Sequence, residues 1–270
     1  MQNYDWLYRV PLALVLAGLF VVMGVAWVLG REIGAHHHQQ YDEPSRSHAS
    51  GLHGAMLGLL ALLLGFTFSM AAQRFEANRD LVADEASAIE TAYLRADIAA
   101  EPERLALKGL LRRYVDTRLA FYEAAIDMQK RAAVDVESRR LQAEMWKSAM
   151  ATAARAPFST MAALLVEAVN HVVDLYEMRL HAIRNTVPSS ILWLLVVMSA
   201  AATGLTGYVA GFGNRRHPAP TALVIALIAL VILVIIDLDR PTRGFIRSGQ
   251  DALIELQHNL HAEITLSGPP

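Results

Sequence analysis

Cysteine is absent from the 270 residues, which excludes disulfides and thiolate chemistry. Asp, Glu, Lys and Arg are absent from four windows, 11–30, 51–72, 191–212 and 221–236. A membrane span needs about 20 mostly apolar residues to cross about 30 Å of hydrocarbon, so these windows read as spans of a polytopic membrane protein. The first exceeds the h-region of a secretory signal and is expected to be retained. The fourth is the shortest and draws on Ala219, Pro220 and Leu238, or sits where the bilayer is thin.

Other absences narrow the function. Net charge is only −2, and no Arg/Lys arm with interleaved aromatics occurs, so nucleic acid is not an expected partner. The acid pairs Asp84-Glu85 and Asp237/Asp239 have no Ser/His partner or Gly-rich phosphate loop near them, so no enzyme, catalytic residue or cofactor is expected. No period-2 pattern of any length appears, and the fold is expected to be all-α.

Between the second and third windows the composition reverses. Residues 73–190 hold 16 of the 24 Lys+Arg and 17 of the 26 Asp+Glu, and form an expected water-exposed helical domain. The expected divisions are 1–72, a first span pair; 73–190, the helical insert; 191–236, a second span pair; and 237–270, a tail. Arg9, Arg74, Arg79, Arg179, Arg184, Arg240, Arg243 and Arg247 lie on the side of the termini and insert, against Arg31, Arg46, Arg215 and Arg216 on the other. This bias puts the insert and both termini in the cytoplasm.

Equally informative is the lack of Gly or Pro after the second window, where "GLLALLLGFTFSMAAQRFEANRDLVADEAS" passes from apolar to charged sequence. With nothing to stop a helix there, one rod is expected to leave the membrane and enter water. Phe75, Val82, Ala86, Ile89 and Tyr93 give it an apolar stripe. Further helices are expected from Pro102 to about Met128 (buried Leu105, Leu107, Leu110, Leu111, Tyr114, Leu119 and Tyr122), over about 134–155, and over 159–185 (buried Leu164, Ala168, His171, Val172, Leu175, Met178 and Ile183).

Gly51, Gly54, Gly58, Ala61 and Gly65 recur at 3, 4, 3 and 4 along the second span, a small-residue stripe that suits close helix packing. Leu62 and Phe66 stand one turn apart. Around an axis of several copies they would form stacked apolar rings, which can gate a pore by dewetting; packing against neighbouring helices is the alternative. Thr67 and Ser69 offer hydroxyls to an ion shell or to their own backbone. Arg74 at the membrane edge either attracts anions or faces lipid phosphates. His36, His37 and His38, with Asp42, Glu43 and His48, form a His-rich stretch that reads as a solvated loop, with no metal site expected.

"LGFTFSMAAQRFEANRD" resembles the motif of bestrophins, in which an apolar LGF stretch is followed eight residues after its Phe by Arg; those positions are Phe66, Arg74 and Phe75. "DEASAIETAYLRAD" and "DLDRPTRGFI" resemble a bacterial bestrophin-like group. The resemblance implies a homopentameric, passive, anion (chloride) channel of the bacterial inner membrane, with the second spans around the axis. Its neck would fall on Gly58, Leu62 and Phe66, with Thr67, Ser69, Met70, Gln73 and Arg74 lining or entering the pore. Gly58 departs from the bulky residue usual there. The motif after the fourth span, Asp237, Asp239, Pro241 and Gly244, has too few carboxylates for the calcium clasp of animal bestrophins, so no calcium gating of that type is expected. Some bacterial relatives are thought to favour cations. Two rivals stand beside the channel: a non-conducting scaffold or sensor whose helical bundle binds a protein partner, and a metal transporter fed by the His-rich stretch.

Overall fold

The computed structural model describes residues 10–37, 43–124, 128–212, 218–240, 246 and 249–267. Among them eight α-helices and one 3-10 turn occur, and no strand. The helices are α1 (Leu12–His37), α2 (Glu43–Arg95), α3 (Glu103–Glu123), α4 (Met128–Arg155), α5 (Thr160–Arg184), α6 (Ser189–Gly211), α7 (Pro218–Leu238) and α8 (Asp251–Ser267). Four helical stretches are long and apolar enough to cross a membrane: Leu12–His37, Ser47–Ile98, Thr160–Gly211 and Ala219–Leu238. Each overlaps one expected window. α2 is unbroken through the apolar-to-charged junction, as the lack of a helix breaker there requires.

The chain divides into two compact units, one of residues 1–74 and 186–240, the other of 75–185 and 241–270. In the first, α1 packs on α6 and α7. The α1–α6 contact is made of backbone. A Cβ added at Gly30 would run into Gly204 O, at Gly34 into Tyr208 O, at Gly207 into Trp27 O and at Gly211 into Arg31 O. Gly30 and Gly34, and Gly207 and Gly211, are each four residues apart, the small-xxx-small spacing that lets helices approach in lipid. The expected small-residue stripe of α2 behaves differently: among the described residues, nothing lies within reach of a Cβ at Gly51, Gly54, Gly58 or Gly65.

In the second unit, α3, α4, α5 and α8 share a core with α2 from Val82 onward. Val82, Ile89, Tyr93, Leu107, Leu111, Tyr114, Leu141, Met145, Leu165, Val172, Tyr176 and Leu256 are buried in it. Each fully buried aliphatic side chain contributes about 1.5–3 kcal/mol. Ser159 caps α5 by accepting from Ala162 N at 3.3 Å. Arg95 at the end of α2 donates to Leu164 O of α5 at 2.9 Å.

Several expected faces are rotated. Leu105, His171 and Met178 are exposed, while Val115, Arg118, Phe121, Leu165, Val169, Tyr176 and Arg179 are buried in their place. The core of this unit contains charge, so counting apolar side chains alone misplaces the stripe.

Candidate functional site

A single row of α2 residues shares one face on the 3.6-residue period. In the first unit it comprises Gly51, Ala55, Gly58, Leu62, Phe66, Ser69 and Gln73, all exposed; Leu62 is 55% and Phe66 66% accessible. Exposure here means that no other described part of the chain covers them. The opposite face is occupied: Leu60, Leu64, Thr67 and Ala71 are buried.

His53 also lies on that occupied side, with Nε2 2.9 Å from Thr206 Oγ1 of α6. The Thr206 hydroxyl has one hydrogen and lies 2.8 Å from Ala202 O. With that hydrogen on the carbonyl, the hydroxyl accepts from His53 Nε2–H. A cross-helix hydrogen bond of this kind sets the rotation of α2 on α6.

Thr67 does not share the outward face. It is 2% accessible and its hydroxyl donates to Leu63 O at 2.8 Å, the own-backbone bond open to it from the start. Ser69 and Gln73 do share it, with Gln73 Nε2 donating to Ser69 Oγ at 3.3 Å. Met70 and Arg74 are half-buried at its flank.

In the second unit the residues of α2 at the same register are Glu76, Asp80, Asp84 and Ser87, again exposed. Polar and acidic side chains thus replace apolar ones. Asp84 and Glu85, neighbours in sequence, do not work as an acid pair: Asp84 is exposed and Glu85 turns into the core. Glu85 is fully buried, where its Oε1 accepts from Arg118 Nε at 2.8 Å and Tyr114 OH at 3.2 Å, and its Oε2 pairs with Arg179.

The motif at the end of α7 is also inward. Asp237, Asp239 and Arg240 are buried in the first unit. Asp239 accepts the Val187 N–H on both oxygens, at 2.9 and 3.0 Å, just before α6 begins at Ser189. Arg240 Nη1 donates to Val10 O at 3.0 Å. Pro241 and Gly244 lie outside the described residues.

For the His-rich stretch, His36 Nδ1 donates to Glu32 O at 3.1 Å. His38 and Asp42 lie outside the described residues, and among those described no three metal-ligating side chains come together.

Chemically, the outward face of α2 offers two apolar rungs, a hydroxyl and an amide in the first unit, and three exposed carboxylates in the second. The model of the Bestrophin-like domain family matches residues 14–253. No curated protein matches the chain, and no solved structure does.

Proposed function

The chain belongs to the bestrophin-like family, and from that premise we propose that it is a passive ion channel whose α2 helices line an axis shared by several copies. The observation that carries this reading is the outward face of α2: Gly58, Leu62 and Phe66 stand uncovered in the single chain, while the opposite face is packed. In an assembly, Leu62 and Phe66 become stacked apolar rings, and the open glycines let neighbouring α2 helices approach closely. An ion sheds part of its hydration at the rings. Small outward motions of α2 wet them. The family resemblance supports five copies, a bacterial inner membrane, and residues 73–190 on the cytoplasmic side.

On ion sign the resemblance favours chloride. One observation favours a second reading: Glu76, Asp80 and Asp84 continue the register of the ring residues, and repeated around an axis they form rings of negative charge that attract cations.

Subunit counting by mass, followed by planar-bilayer recording under a chloride gradient with a large impermeant cation, tests the proposal. Five copies with currents reversing at the chloride potential support an anion channel. Five copies that stay silent until potassium replaces the impermeant cation support the cation reading. A silent monomer or dimer overturns the channel and leaves the scaffold or sensor.

A further inference from the structure

Among the described residues, the core of the second unit carries more positive than negative charge. Arg118 and Arg179 are 0% and 2% accessible, and both pair with the fully buried Glu85. Arg179 also donates to Tyr122 OH. Burial pulls the Arg179 guanidinium down to about 9, which leaves it cationic at neutral pH. Two buried cations therefore share one carboxylate.

Nearby groups do not restore the balance. Asp135 accepts from Tyr176 OH and lies 3.4 Å from Arg139 Nε, and Glu177 lies 2.8 Å from Arg139 Nη1, so both acids serve the more exposed Arg139. The phenols stay neutral: burial pushes Tyr114 up to about 12 and raises Tyr122 and Tyr176 as well.

Arg118 has one edge left over. Its faces are taken by aromatic rings, with the guanidinium carbon 5.2 Å from the Phe121 centroid and 4.9 Å from that of Tyr176. Its Nε donates to Glu85. Neither Nη1 nor Nη2 has an acceptor among the described residues, although both are buried. Buried N–H groups of a charged side chain need acceptors, and an ion is one way to supply them.

We propose that the Nη edge of Arg118 holds a small inorganic anion of the halide class inside the second unit. The ion neutralises the surplus guanidinium charge and accepts from the unpaired N–H groups. It sits apart from the outward face of α2, so it serves the stability of the helical unit whether or not the protein conducts.

The test is thermal unfolding of the full chain in detergent, in sodium chloride or bromide against sodium gluconate at constant ionic strength. The expected result is a midpoint several degrees higher in halide, saturating with concentration. Arg118→Met leaves Glu85 and Arg179 as a balanced pair and is expected to lose the halide response, while Arg139→Gln and Leu62→Ala keep it. Equal midpoints in halide and gluconate for the unaltered protein, or an undiminished response in Arg118→Met, overturn the proposal. If Arg118→Met does not fold, bromide anomalous scattering from the unaltered protein decides: a peak within hydrogen-bond reach of the Arg118 Nη atoms supports the site, and its absence overturns it.

Discussion

Asp239 receives the Val187 N–H on both carboxylate oxygens, at 2.9 and 3.0 Å, and so ties the end of α7 to the approach to α6. The carboxylate anchors backbone. Asp239→Ala is expected to lower stability by about 1–3 kcal/mol, because it strands a buried donor. Thermal unfolding in detergent measures this. Adding calcium is expected to leave both the melting midpoint of the unaltered protein and its currents unchanged.

The glycines of α1 and α6 differ from those of α2. Gly207→Leu, or Gly34→Leu, drives a side chain into the facing backbone and is expected to cost about 3 kcal/mol or more. Gly58→Ala meets open space in the single chain and is expected to leave its fold intact while altering subunit count or current. Size-exclusion chromatography with mass detection separates the two outcomes.

Leu62→Ala together with Phe66→Ala shortens both outward rungs. Single-channel conductance is expected to rise several-fold while assembly is retained. Unchanged conductance in an intact assembly would move the constriction elsewhere.

Asp80→Asn with Asp84→Asn removes two exposed carboxylates from the α2 row. Under a potassium chloride gradient the reversal potential is expected to move toward the chloride potential. A fixed reversal potential would separate the acidic row from the ion path.

The buried phenols give an alkaline signature. Tyr114 is raised to about 12 by burial, and Tyr122 and Tyr176 are raised for the same first cause, against about 10 for a free phenol. The folded state keeps protons that the unfolded chain releases. Their contribution is therefore fully present below about pH 10 and is lost as pH climbs toward 12. Absorbance titration of tyrosinate is expected to show a late-ionising population that includes Tyr114, Tyr122 and Tyr176 and shrinks by one tyrosine in Tyr114→Phe.

The spans and the unbroken α2 were legible because they depend on local facts: apolar runs without charge, and no Gly or Pro at the junction. The charged core was not. Arg118 occupies an apolar-stripe position, with Leu107, Leu111 and Tyr114 before it and Phe121 after it at spacings of 4, 3, 4 and 3. Arg179 follows Val172 and Leu175 in the same way, and Glu85 follows Val82. A charge on an apolar stripe was the available signal. Its partner stands on another helix, which periodicity along one helix does not see. For the same reason the glycines of α2 drew attention, while the pairs Gly30/Gly34 and Gly207/Gly211, which lie far apart in sequence, did not.

The interlock of α1 with α6 also orders events during synthesis. α1 is made first, and the helix that covers its glycine face is made only after α2, α3, α4 and α5. Throughout that interval both units are unfinished, the first without α6 and α7 and the second without α8. A chain that ends before Ser189 therefore leaves the Gly30/Gly34 seam of α1 without the backbone that fills it.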